Sequence, residues 1–262
     1  MKNQICTACG TQLPMSSKPI KLCPICVDDR QYIPETGQTW TDLDELSKNH
    51  LMVTKKLNDH LYELKMMPSF GIGQRALLVI TPAGNILWDC ISLLNEPIIE
   101  FINSKGGLKA IAFSHPHYYT TMNEWAATFN CPIYIHKNDE QWIFNKGDQV
   151  RLWEGAEQEL WDGISIINVG GHFPGSSILH IPFLSPKGVV LCGDTFYISP
   201  SKKHMAAMYS YPNRIPLPLE EIKRIKALMH QLDFDTMHGF YADQNVYLVA
   251  KEVLETSMSR YV

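Results

Sequence analysis

Four short apolar runs in this chain each end on a residue able to bind a metal ion, and that pattern restricts the fold more than any other feature. KAIAF (109–113) runs into Ser114-His115-Pro116-His117, and ISIINV (164–169) runs into Gly170-Gly171-His172-Phe173-Pro174-Gly175-Ser176. GVVLC (188–192) leads to Gly193-Asp194-Thr195, and FDTM (234–237) stops at His238-Gly239. Apolar runs of this length read as buried strands, and ligands collect where such strands run out into loops in open α/β sheets. Helical signals lie between them. Asn95 can cap a helix through IIEFINSK that stops at Gly106-Gly107, and Thr121 opens another. Leu219 to Leu232 and Asn245 to Met258 read as helices near the C-terminus. QRALLVI and ILWDC, joined by Pro82-Ala83-Gly84-Asn85, read as a hairpin. Strands in two groups with helices between and after them predict an α/β sandwich.

An HxH pair alone is also what a solvated loop can show. Here the pair ends a strand, residues two apart on extended chain share a side, and Pro116 forbids an ordinary continuing helix. His172, Asp194 and His238 then add two imidazoles and a carboxylate. Three imidazoles and a carboxylate are an ordinary ligand set for zinc, and also for iron or manganese.

A second metal signature stands at the N-terminus. Cys6-x-x-Cys9 and Cys23-x-x-Cys26 are two knuckles with thirteen residues between them. Each aims two thiolates at one point, and together they complete a closed tetrahedral cage. Such a site has no open position, so its expected role is structural, and the segment around it depends on the ion to fold. Zinc is the expected metal. Rubredoxin-like proteins hold one iron with the same CxxCG and CPxC pieces, so iron is the second choice. The expected division is a four-cysteine module over 1–40 and a larger domain over 41–262, joined near IPETGQTWTDLDEL. The module could also meet a protein partner or a second copy of the chain.

Taken in order, ILWD with Asp89, SHPH, GGHFPGS, CGDT and the final HG resemble the metallo-β-lactamase-fold hydrolase superfamily over roughly residues 70 to 240. The resemblance implies an αββα sandwich with metals along one edge. It implies that His115, His117 and His172 form the first metal site, that Asp194 bridges, and that His238 belongs to the second. The chain departs from that pattern at the HxHxDH motif: Tyr119 stands at the Asp position and Thr120 at the last His. A phenol, with an unperturbed pKa near 10, is a poor ligand at neutral pH. One metal is therefore expected in this site, with His238 turned inward to it or hydrogen-bonded to a bound water or substrate.

Three functions fit. The first is single-metal hydrolysis of an ester, lactone, thioester or phosphoester, with Asp194 or a water network taking the proton role of the missing Asp. The second is a binding or scaffold protein that has lost catalysis. The third is a mononuclear iron enzyme of the persulfide dioxygenase type, although that branch keeps the full motif. Tyr118 and Tyr119 are candidate hydrogen-bond donors to a substrate oxyanion, while Tyr197 and Tyr241 read more simply as space-filling rings. Asp89 reads as a loop-holding carboxylate. The segment 199–218 is long enough for a lid. Charge does not suggest nucleic acid: the net charge is -4, with no basic stripe. No run approaches the ~20 apolar residues of a membrane span, and MKNQICTACG has no signal-peptide core. A cytoplasmic setting, in which cysteines serve metals rather than disulfides, is expected.

Overall fold

A computed structural model describes residues 4–16 and 20–261. Residues 1–3, 17–19 and 262 of the two expected domains lie outside the described residues. Two sheets form the body of the molecule. The first has seven strands, ordered Val150–Trp153, Ile133–His136, Ala110–Ala112, Ile86–Trp88, Ala76–Val79, Leu61–Met67 and Leu51–Asn58. Its first four strands are parallel and the rest antiparallel. The second has six, ordered Glu157–Glu159, Ser165–Asn168, Ser177–Ile181, Val189–Gly193, Thr236–Gly239 and Asn245–Val246.

Alternation along the strands decides the layers, because successive side chains leave opposite faces. Leu77, Val79, Ile86 and Trp88 face Ile166, Leu179, Val189 and Leu191 between the sheets. Leu78, Leu87 and Ile111 point the other way, onto the helices Glu96–Ser104 and Met122–Phe129. On the far side, Ile178, Val190 and Met237 pack against Leu219–Gln231 and Ala250–Met258. The result is the expected αββα order. Asn95 caps its helix as read from sequence, its side chain accepting from the Ile98 N–H.

Two sequence expectations fail locally. Asn245 and Val246 form an edge strand instead of a helix, which starts only at Ala250. Asn245 spends its side chain on His238 and Arg75, and Leu248 takes a left-handed φ of 64°, so the chain turns before it can coil. The two histidines of SHPH also do not sit on one extended stretch. His115 is extended, but Pro116–Tyr118 form one turn of 3₁₀ helix, with proline at its favoured first position. The turn, rather than strand alternation, brings the two rings to 4.9 Å.

The N-terminal segment forms a three-stranded sheet, Gln12–Leu13, Gln4–Cys6 and Trp40–Thr41. Trp40 packs on the cysteines, while Ile5 belongs to the main core.

Candidate metal centre

His115, His117, His172 and Asp194 each offer a ligand atom within 4.8 Å of the others, all four buried. Asp194 Oδ2 lies 3.4 Å from His115 Nε2, 3.8 Å from His117 Nδ1 and 3.7 Å from His172 Nε2. A tetrahedral ion with bonds of about 2.0–2.2 Å spaces its ligands by about 3.3–3.6 Å, so the residues fit a single ion. The polar atoms point the same way. His115 Nε2, both His117 ring nitrogens, His172 Nε2 and Asp194 Oδ1 are buried without a hydrogen-bond partner, a costly state unless something else fills it. Burial presses the His117 pKa down to about 4 and that of His172 down as well, which keeps the imidazoles neutral and their lone pairs open. Burial alone would raise the Asp194 carboxyl, but the three surrounding imidazoles pull it below the usual carboxylate range.

The second ring nitrogens of His115 and His172 are held from behind. Asp89 accepts the Ser114 backbone N–H at 2.7 Å and the Ser114 hydroxyl at 2.9 Å, and Ser114 Oγ lies 2.8 Å from His115 Nδ1. With its one proton given to Asp89, that hydroxyl accepts from Nδ1–H and leaves Nε2 facing the cage. His172 Nδ1 lies 2.8 Å from the Tyr209 carbonyl, which requires an N–H there and frees Nε2 in the same way. Gly193 is forced on the sequence by this packing: its φ is 49°, and a Cβ would collide with Ser114.

His238 is not one of the four clustered residues, and its Nε2 is buried without a partner. Its Nδ1 lies 2.7 Å from Asn245 Oδ1, and Arg75 donates to the same oxygen at 2.8 Å. Arg75 in turn pairs with the fully buried Glu63 at 2.7 Å. Tyr118 and Tyr119, adjacent in sequence, separate. Tyr118 is wholly buried against the His115 ring at 5.2 Å, its hydroxyl unpartnered. Tyr119 turns into the core, edge-on to Phe113 at 5.1 Å. Thr120 faces the N-terminal segment, where its carbonyl accepts from the Gln12 N–H. The two positions that depart from HxHxDH thus serve packing and docking.

The four cysteines gather as well. Cys6 and Cys26 sulfurs lie 3.6 Å apart, as do those of Cys9 and Cys23. That is far beyond a disulfide bond of about 2.05 Å and close to the ~3.8 Å edge of a tetrahedral zinc–thiolate cage with bonds of about 2.3 Å. The cage sits on the histidine site. Arg30 donates to the His172 carbonyl and lies over the rings of Phe173 at 4.2 Å and Tyr209 at 4.1 Å. Ser92 Oγ donates to the Gly10 carbonyl at 3.1 Å, and a Cβ on Gly10 would come within 2.5 Å of that oxygen. A cavity of ≈ 450 Å³ opens beside Asp194, lined among others by Ala8, Gln31 and Tyr32 of the N-terminal segment and by Tyr197, Tyr211 and Tyr241. Sequence reading missed the roles of Arg30, Gln31, Tyr32 and Tyr211. The signal available was Arg30 itself, soon after Cys26.

The segment 199–218 forms two small hairpins, Tyr197–Ile198 with Met205–Ala206 and Met208–Ser210 with Ile215–Pro216, and supplies Tyr211 to the cavity. His136 and His180 bond backbone carbonyls of Gly155 and Asp233, and Cys90, Cys131 and Cys192 are buried thiols. Among the described residues no helix is long and apolar enough to cross a membrane.

No family model matches the chain. The uncharacterized protein YmaE of Bacillus subtilis (strain 168) is 39% identical over 265 residues, covering 100% of this chain and 96% of YmaE. Among solved structures, DIM-1 metallo-β-lactamase exposed to ceftazidime matches with a TM-score of 0.59 at 13% identity, covering 80% of this chain and 98% of its own. The mono-zinc form of the metallo-β-lactamase FIM-1 from Pseudomonas aeruginosa gives 0.56 at 11% identity, covering 80% and 95%. TTHA1623 in a di-iron-bound form gives 0.52 at 18%, covering 77% and 96%. With sheet order and ligand cage already matching the expected sandwich, these likenesses lead to one conclusion: the chain belongs to the same family as YmaE and has the metallo-β-lactamase fold.

Proposed function

We propose that the protein is a metal-dependent hydrolase with one ion, zinc by preference, held by His115, His117, His172 and Asp194, and a second, structural zinc held by Cys6, Cys9, Cys23 and Cys26. The substrate is a small ester, lactone, thioester or phosphoester, and the setting is cytoplasmic. The observation that carries this reading is the convergence of buried, unpartnered imidazole nitrogens on a carboxylate that borders a cavity. An ion in this cage supplies an activated water and a Lewis acid for a carbonyl or phosphoryl oxygen. Asp194 Oδ2 faces the three imidazoles, while Oδ1 has no partner and can accept a proton from the attacking group. The Tyr118 hydroxyl, buried and unpartnered next to His115, can donate to a developing oxyanion. Asp89 with Ser114, and the Tyr209 carbonyl, fix the imidazole tautomers. His238 keeps a buried, unpartnered Nε2 with which to meet a bound water or substrate.

The binding-protein alternative also has an observation behind it. Four protein ligands fill a tetrahedral shell, whereas catalytic zinc sites usually keep three and an open position. Elemental analysis followed by an ester, lactone, thioester and phosphodiester panel decides. Turnover that falls to background in His115→Ala, at least about tenfold in Tyr118→Phe, and less than about twofold in Tyr119→Phe supports hydrolysis. A fully loaded protein that turns over none of the panel sinks it in favour of binding.

A further inference from the structure

We propose that the cavity beside Asp194 takes a ligand with a flat aromatic or apolar body and a terminal anionic group seated on Arg214. This deepens the hydrolase reading and rests on it for the position of the scissile bond. The charges of the cavity carry the argument first. Its lining has two charged residues, Asp194 at the ion cage and Arg214. Arg214 is exposed and, among the described residues, its guanidinium has no hydrogen-bond or ion-pair partner. The site's own carboxylate therefore faces the imidazoles, and the one cation is left for the ligand. Guanidinium is suited to carboxylate or phosphate, which it meets through two parallel N–H donors.

The backbone that carries Arg214 is also anchored. Its backbone is left-handed, φ 58°, at the end of the turn between Met208–Ser210 and Ile215–Pro216. That turn is bolted to the four-cysteine module: Asn213 Nδ2 donates to the Asp29 and Gln31 carbonyls at 2.9 Å each, and Ser210 Oγ donates to the Arg30 carbonyl at 3.2 Å. A cation carried on an anchored turn loses less freedom on binding.

The walls define the rest of the ligand. Tyr211 donates its hydroxyl to the Ala206 carbonyl at 3.0 Å and Tyr241 to the Ile72 carbonyl at 3.1 Å. With those hydroxyls spent on backbone, the rings offer surfaces rather than donors. Tyr197, Tyr211 and Phe240 lie 5.8–6.2 Å apart by ring centroid, and Phe240 lies 4.2 Å from Tyr241, so the surface is continuous. Such a wall suits a flat body, which it can meet by offset or edge contacts, and ≈ 450 Å³ is the size of a small-molecule site.

The test is calorimetric titration of the metal-loaded protein with 2-naphthoate and with the neutral 2-naphthylmethanol. The expected result is about tenfold tighter binding of the naphthoate, a preference that Arg214→Gln reduces to less than about twofold while leaving the alcohol unchanged, and that Arg214→Lys restores in part. Tyr197→Ala should weaken both probes alike. A preference that survives Arg214→Gln means that the anion seats on the ion and overturns the proposal, as does the absence of binding by either probe. An Arg214-dependent preference in a protein inert on the ester panel would remove the hydrolase reading and keep the ligand class. Turnover with no effect of Arg214→Gln on either probe would do the reverse.

Discussion

The four-cysteine cage and the histidine–aspartate cage have similar dimensions, with paired sulfurs at 3.6 Å and imidazole nitrogens 3.4–3.8 Å from Asp194 Oδ2, yet they are put together in opposite ways. The first draws all its ligands from residues 6 to 26 and is supported by a sheet of two- and three-residue strands. The second draws on loops that follow three strands in two different sheets, with the body of the sandwich behind them. A local cage with little core depends on its ion to fold. A cage held at the ends of buried strands keeps its shape because the sheets do. The two also touch, through Arg30 on the His172 loop and Gly10 on Ser92, so the weaker-built unit forms part of the wall of the better-built one.

The largest effect should come from breaking the local cage. Structural zinc in small modules contributes on the order of 10 kcal/mol or more to their folding. Cys6→Ser with Cys9→Ser should therefore lose about one ion per chain, loosen the module and remove turnover, although neither residue belongs to the histidine site. Metal analysis, a thermal melt and the hydrolysis panel would read this. Retention of full activity would show the two cages to be independent. Removing the second cage should be milder for the fold. His172→Ala should lose the other ion and turnover while the cysteine site stays loaded, and Ser114→Ala, which frees the His115 tautomer, should weaken metal affinity by about 10–100-fold. Unfolding of the whole chain in His172→Ala would contradict a cage shaped by the sheets.

The contact between the cages is tested by Arg30. Replacing it with methionine removes the guanidinium from the His172 carbonyl and from Asp28, and should cost about 2 kcal/mol in denaturant unfolding. Arg30→Lys should recover little of that, since an ammonium cannot lie flat between Phe173 and Tyr209. A separate effect, one that depends on pH, concerns Asp139, which holds the other side of the same loop by accepting the Gly175 N–H at 2.7 Å. Burial raises its pKa to about 7, against about 3.9 in an unfolded chain. A raised carboxylate binds its proton more tightly folded than unfolded, so it lowers stability as pH rises from about 4 to about 7. Asp139→Asn keeps the acceptor oxygen and should flatten that decline; melting curves between pH 5 and 8 that run parallel in both proteins would refute it.

The legible part of this protein was whatever depends on nearest neighbours along the chain. The cysteine knuckles, the αββα order and the three histidines with Asp194 could be read because each is a short pattern: a CxxC turn, a period of two, a glycine-flanked residue after an apolar run. Asp89 was also readable as a residue that holds a loop, since it ends a strand. The parts that sequence left open were those that long-range packing decides. Tyr118 and Tyr119 look equivalent in sequence, and only the 3₁₀ turn sends one to the cage and the other to Phe113. His238 ends a strand just as the ligands do, but Asn245, seven residues on, claims its Nδ1 and draws the tail into an edge strand. The docking of the module over the histidine site has no local signature. It depends on Arg30 meeting residues more than a hundred positions away. Sequence by itself therefore determined the two candidate metal-binding clusters and the layers that carry them, because those follow from residue type and short-range spacing. Tertiary structure alone decided that residues of the four-cysteine module help line the cavity beside Asp194 and that Arg214 stands at it, because side chains distant along the chain become neighbours only once the sheets have closed.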